Sequence, residues 1–394
     1  TAGAAAGFDL RFVGPFTIDI VRAEVLEING RGGDDSINAS ALPAGLLALE
    51  ITGGTGNDTI VGSAGNDTNI WNNGDNTDTF DGGPGDDLQI VNGAPAGDLF
   101  TVQAAAGGAI ANSVLFRRGN LVPFDVTLGN TERLQVNGLA GDDSIDASAL
   151  PAGLIALELV GGPGADTVVG SAGDDRIIWN PGDGSDTNDG GAGNDRVVVN
   201  GSDGSNSLSM GNTAVAAGFD LRFVGPFTID IRDAETLEVN GRGGDDSINA
   251  SALAAGLVAL ELDGGEGNDT VTGSAGDDIL RGGPGNDTLT AFLGTDQVFG
   301  DAGDDVLVWN PGDGSDFNDG GEGNDTSRVL AAGAAETLSI APLGCNAGAP
   351  CARLRRILPS VFDVDVVRVE RLELLTGGGR DTVFVRARRF SFEP

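Results

Sequence analysis

The stretch "GGTGNDTIVGSAGNDT" (residues 53–68) sets Asp58 and Asp67 nine residues apart in a glycine-rich frame. Related stretches recur as "GGPGADTVVGSAGDD" (161–175) and "GGEGNDTVTGSAGDD" (264–278). Glycine serves tight turns and the close approach of backbone to a ligand. The formal net charge is already −37, so acids placed at so fixed an interval point to a cationic ligand.

Longer repeats frame these turns. "GFDLRFVGPFTIDI" occurs unchanged at 7–20 and 218–231, and "NGRGGDDSINASAL" at 29–42 and 240–253. A divergent copy, "NGLAGDDSIDASALPAGLIALEL", lies at 137–159. Each copy leads to a tryptophan turn, at Trp71, Trp179 and Trp309. These marks divide the chain into three modules, 1–106, 107–212 and 213–338, the last lengthened by extra turns. A partial module, 339–394, contains "VFDVDVVRVERLELLTGGGRDTV" (361–383).

Self-similarity of this kind marks an architecture in which each unit packs on its neighbours. Segments such as "FTIDI", "LIALEL" and "VVVNG" are short and rich in β-branched or large apolar residues, with Gly, Asn and Asp turns between them. Helical periodicity is missing, and "ASALPAGL" is the one stretch that could make a helical turn. Sandwich, barrel and solenoid all fit short strands; the nine-residue step favours a solenoid, whose coils must repeat in register. The expected fold is an all-β solenoid.

At this point the chain resembles a known family. The pattern G-G-x-G-x-D-x-U-x, with U large and apolar, is the nonapeptide of secreted RTX (hemolysin-type) proteins. It is matched at 53–61, 82–90, 161–169, 190–198, 264–272 and 282–290, and as "GGEGND" at 320–325. "GSAGND", "GSAGDD" and "PGDGSD" fit once serine or proline replaces a glycine. The linking β segments are similar to large bacterial surface proteins of this type. The resemblance implies an all-β parallel β-roll or β-helix solenoid with calcium-binding turns, in which backbone carbonyls and the sixth-position aspartate hold Ca²⁺ between successive coils.

Elementary electrostatics agrees. Coils of a parallel solenoid lie about 4.8 Å apart, where stacked carboxylates repel by roughly 1 kcal/mol per pair even in water. A hard divalent cation with six to eight oxygen ligands reverses that sign. The spacing predicts columns pairing Asp58 with Asp78, Asp67 with Asp87, Asp166 with Asp186 and Asp175 with Asp195. The third module gives Asp269, Asp287, Asp305 and Asp325 on one side, and Asp278, Asp296 and Asp316 on the other. Acids that only kept the chain soluble would scatter over the variable positions. Asp35, Asp143 and Asp246 depart from the full motif and read as a rim beside the sites, with ligation as the alternative. The tryptophans read as structural, with sugar stacking as the alternative.

The chain has no lysine, histidine or tyrosine, which removes most general bases and imidazole metal ligands. With 59 acids against 22 arginines, nucleic acid and anionic membrane surfaces are poor partners. No apolar run reaches the ~20 residues of a membrane span. A paired-carboxylate glycosidase is open on composition, yet no acid stands apart from the repeats, so a non-catalytic chain is expected. "CNAGAPC" (Cys345, Cys351) reads as a local disulfide and hence an oxidising, extracellular compartment. The opening "TAGAAAGFDL" has no basic n-region, so any signal peptide is expected to be removed or the segment to be internal.

Nine of the 22 arginines fall within 353–394, and Arg380 stands in the turn "TGGGRD". That basic end reads either as a cap whose cations replace calcium or as a docking surface for the acidic start of another copy. Head-to-tail pairing would build a filament or lattice. The expectation is a secreted, calcium-stabilised structural surface protein whose partner is itself. The alternatives are a rigid spacer in an adhesin, with cell-surface polysaccharide as partner, and a polysaccharide-modifying enzyme.

Overall fold

The computed structural model describes residues 7–11, 17–21, 23–106, 113–212, 218–223, 227–330, 337–342, 351–358, 362–375 and 382–385. Every regular element among them is a β-strand, and no helix is long and apolar enough to cross a membrane. The stretch "ASALPAGL" forms turns and strand ends, without a helical turn. Contacts group the chain into two units, residues 1–195 and 196–394.

In the first unit, two parallel ladders alternate along the chain. One joins Val25–Asn29, Ala48–Thr52, Asp67–Trp71, Leu88–Asn92, Arg133–Asn137, Ala156–Val160 and Arg176–Trp179. The other stacks Ser36–Asn38 on Thr59–Val61 and Asp78–Asp81, and Ser144–Ala149 on Thr167–Val169 and Thr187–Asp189. Alternate residues face inward, so Ile60 aligns with Phe80 and Leu134 with Leu157, all buried. Such columns put apolar side chains against their own kind in successive coils, removing roughly 25 cal/mol of unfavourable hydration per Å².

The second unit repeats the scheme with Thr236–Asn240, Ala259–Asp263, Ile279–Pro284 and Gln297–Ala302 in one ladder. Ser247–Ala252, Thr270–Thr272, Thr288–Thr290, Val306–Trp309, Thr326–Leu330 and Arg371–Leu375 make the other. Its shortest coils take 18 residues, two nonapeptides, as between Asp269, Asp287 and Asp305. A tryptophan turn lengthens the step to 20 residues, from Asp305 to Asp325.

The parallel coil is interrupted, which the repeat spacing alone does not foretell. Leu99–Ala104, Val114–Arg118 and Phe124–Gly129 form an antiparallel meander; its last strand then pairs parallel with Asp78–Asp81 and its first with Ser144–Ala149. The second unit has two such excursions, Ser207–Asn212 to Thr228–Arg232 and Thr337–Pro342 to Phe362–Val367. The duplicated "GFDLRFVGPFTIDI" supplies hairpin strands, and Gly-Pro is a turn signal at its centre. Cys351 is disulfide-bonded, while position 345 lies outside the described residues.

Candidate metal centre

Each glycine-rich turn delivers its sixth-position aspartate to the side of the coil, pointing inward under its own turn. The first glycine is required for that. A Cβ on Gly282 would stand 2.3 Å from Asp287 Oδ2 and 2.7 Å from the carbonyl oxygen of Gly300. Gly264 is equally tight, with Asp269 Oδ2 at 2.4 Å and the Gly282 carbonyl at 2.7 Å. Carboxylate and carbonyl oxygens thus crowd a space that only glycine leaves open.

The aspartates are tied into columns by one repeated hydrogen bond. The N–H of Asp58 donates to Asp78 Oδ1 (2.8 Å), and that of Asp67 to Asp87 Oδ1 (2.7 Å). Asp166 donates to Asp186 (2.8 Å) and Asp175 to Asp195 (2.8 Å) in the same manner. In the second unit the bond runs Asp269 to Asp287 to Asp305 to Asp325, and Asp278 to Asp296 to Asp316. All fifteen carboxylates that the spacing places in columns therefore stand in them, and all are buried. A second, exposed ladder at position five, such as Asn286 N–H to Asn268 Oδ1 at 3.0 Å, explains the Asn/Asp preference there.

What the backbone bond leaves over is the distinctive feature. Oδ2 of Asp58, Asp87, Asp166, Asp269, Asp287, Asp296, Asp305, Asp316 and Asp325 is buried and meets no hydrogen-bond donor. Burial, reinforced by neighbouring acids, pushes these carboxyls up: Asp296 to about 8, Asp166, Asp305 and Asp316 to about 7, and Asp287 to about 6. Buried charged oxygens without donors are costly, and a cation satisfies them. Among the described residues no three acidic, histidine or cysteine side chains converge on one point. Carboxylates could therefore supply only part of a coordination shell and turn carbonyls the rest, a donor set of oxygens alone that would suit Ca²⁺.

Three residues read as rim are members of the columns. The N–H groups of Asp35, Asp143 and Asp246 donate to Asp58, Asp166 and Asp269 at 2.7 Å each, and their own Oδ2 atoms are buried without donors. The signal was a relaxed G-x-x-G-x-D in "GRGGDD" and "GLAGDD", whose second residue takes the left-handed conformation usually left to glycine (Arg31, φ 74°; Leu139, φ 73°).

Serine in "GSAG" is more than a substitute for glycine. Ser274 N–H donates to Asp278 Oδ2 at 2.5 Å and Ser274 Oγ to Asp278 Oδ1 at 3.0 Å. Ser63 and Ser171 hold Asp67 and Asp175 through the same two groups. Each of these aspartates opens its column, so serine provides what a preceding coil would. At the far end glutamate takes over: Asp87 N–H donates to Glu132 Oε2 (2.8 Å) and Asp325 N–H to Glu370 Oε2 (2.9 Å).

The RTX calcium-binding nonapeptide repeat model matches in four copies, over residues 50–68, 158–178, 261–289 and 272–307. The chain carries RTX calcium-binding repeats. The matches fall on the turns that hold Asp58, Asp67, Asp166, Asp175, Asp269, Asp278, Asp287, Asp296 and Asp305. RTX repeats bind several calcium ions, form parallel β-rolls, and mark calcium-dependent segments of secreted proteins. A search among curated proteins finds no match to the chain.

Two other expectations meet the RTX coil. The rings of Trp71, Trp179 and Trp309 are buried, which removes any face for a sugar, and Trp71 Nε1–H donates to the Asn76 carbonyl at 3.0 Å. Near the basic end, Arg353, Arg355, Arg368 and Arg371 are engaged by Asp365, Asp363, Asp319 and Glu373. Arg380 lies outside the described residues.

Proposed function

We propose that this chain is a structural segment of a secreted protein, set into a stiff β-roll by calcium outside the cell. The buried Oδ2 atoms that lack donors carry this reading. The ligands are the aspartates of the columns, Asp35, Asp143 and Asp246 included, with turn carbonyls completing each shell. Without the ion the stacked carboxylates oppose the fold; with it they become its fastening. No catalytic role is assigned.

A second reading, head-to-tail assembly into a filament or surface layer, is favoured by open ladder edges. Val25–Asn29 pairs with Ala48–Thr52 and Arg371–Leu375 with Thr326–Leu330; among the described residues neither has a second strand partner. Val25 and Leu375 are half exposed on those strands. The arginines engaged within the chain leave less charge for docking than the sequence promises.

Sedimentation and far-UV circular dichroism, in millimolar calcium and after chelation, test both. Loss of β signal on chelation supports the calcium-set fold, and an unchanged signal overturns it. Large species that vanish together with the β signal support assembly, whereas a folded monomer in calcium supports the spacer.

A further inference from the structure

The antiparallel excursion in the first unit breaks a column of aspartates, and a cation of the chain's own stands in the break. The strands follow the order Asp78–Asp81, Phe124–Gly129, Val114–Arg118, Leu99–Ala104, Ser144–Ala149. Asp78 closes one column on the near side of this insertion. Asp98 opens the next on the far side, its N–H donating to Asp143 Oδ1 at 2.6 Å. Two strands thus intervene where the stack would place two more turns.

Arg118 ends the strand beside Asp98. Its side chain is 3% exposed and that of Asp98 is 0% exposed. Nη1–H donates to Asp98 Oδ1 at 3.3 Å and to Asn73 Oδ1 at 2.9 Å, while Nε–H donates to the Val122 carbonyl at 3.1 Å. Asn73 belongs to the tryptophan turn before Asp78, so the guanidinium bridges the two sides of the break. The Phe124 and Trp71 ring centres lie 4.9 and 5.9 Å from its central carbon, a setting that suits the weakly hydrated guanidinium. Asp98 Oδ2 accepts the Ala94 N–H at 2.6 Å, so this carboxylate, unlike Asp143 and Asp166 next in the column, is satisfied at both oxygens.

The other two excursions show that the charges travel together. Phe100, two residues after Asp98, faces Arg118. At the equivalent place Leu208 faces Phe223, and the column opens with neutral Asn206, held by Ser202. In the last excursion Leu338 faces Arg356, and the residue two before Leu338 is Glu336, which lies outside the described residues. By sequence position, Asp98 and Arg118 correspond to Asn206 and Phe223 in the second excursion and to Glu336 and Arg356 in the third. Acid and arginine occur together or are both missing.

We propose that Arg118 is a resident cation that takes the place of a calcium ion at the head of the Asp98–Asp143–Asp166–Asp186 column. The proposal rests on the calcium reading of the columns. Where the meander replaces coils of the stack, the guanidinium supplies the positive charge that an ion would bring, and its own donors. Calcium then fills the column from Asp143 onward, and the aromatic cluster around Trp71 is held without it.

The test counts calcium per chain by elemental analysis of the full-length protein after gel filtration in calcium buffer. R118Q leaves Asp98 buried with no cation, and the expected result is one ion more than wild type. D98N/R118F transplants the pair of the second excursion and should bind the wild-type number. This double variant also keeps the test alive should R118Q not fold. A wild-type or lower count in R118Q overturns the proposal. So does the loss of an ion in D98N/R118F, because Asp98 would then be a calcium ligand already. A wild-type chain that binds no calcium overturns the underlying calcium reading, a result distinct from an unchanged count in the variants.

Discussion

The backbone N–H of Asp269 donates to Oδ1 of Asp287, one coil further on, at 2.7 Å, and the second oxygen of Asp287 is buried with no donor. One oxygen of the carboxylate thus builds the coil, and the other is the one proposed to meet a cation. The two duties can be separated by substitution. D287N keeps an acceptor for the Asp269 N–H and removes the charge. In metal-free protein it should stabilise the fold by on the order of 1 kcal/mol, the repulsion of stacked carboxylates in a well-screened setting. In calcium it should destabilise by at least as much. Thermal melts of both forms, with and without calcium, check for this reversal of sign.

Protons should imitate calcium in part. Burial raises Asp296 to about 8 and Asp305 to about 7, from an ordinary value of 3.8. A carboxyl whose folded value is raised stabilises fully below its unfolded value and loses that contribution as pH climbs through the folded one. Metal-stripped protein should therefore hold more β structure at about pH 5 than at about pH 8. With calcium present the trend should reverse, because the ion competes with protons for the same oxygens. Circular dichroism across this range checks both arms, and a metal-free signal that grows with pH would contradict the assignment of the columns.

The serine caps make a contrasting case. S274A removes the Oγ–H to Asp278 Oδ1 and the acceptor of the Gly276 N–H, at 3.0 Å each. A hydrogen bond to a charged group contributes about 1.5–3 kcal/mol. The loss should be of that order in calcium and in chelator alike, with no reversal of sign. Urea melts in both conditions distinguish a cap from a ligand.

Much of this was legible from spacing. Register in a coil is counted in residues, so 18-, 20- and 23-residue steps between aspartates fix which carboxylates stack, as in Asp269 to Asp287, Asp58 to Asp78 and Asp35 to Asp58. The meanders were harder to see, because an inserted hairpin keeps the β pattern and changes only strand direction. "FVGPF" carried the sole local hint. Asp98 and Arg118 were hidden for a different reason. They are 20 residues apart, and their pairing depends on strand order within the insertion.

Turn strain offers the last prediction. Where glycine fills the second turn position, as at Gly54, Gly162 and Gly265, the backbone takes a positive φ, and Leu139 adopts the same conformation at φ 73° with its side chain about half exposed. A left-handed non-glycine residue costs roughly 1–2 kcal/mol, while glycine adds roughly 0.4–1 kcal/mol of unfolded-chain entropy. L139G should therefore gain stability, by less than about 1.5 kcal/mol on those figures. L139V should lose stability, since a β-branched residue tolerates positive φ worst. For a unit of this size each kcal/mol moves the melting temperature by about 2–4 °C, well within reach of calorimetry. If L139G melts below the wild type, the leucine is making a contact that outweighs its backbone strain, and the glycine preference at this turn position is not conformational.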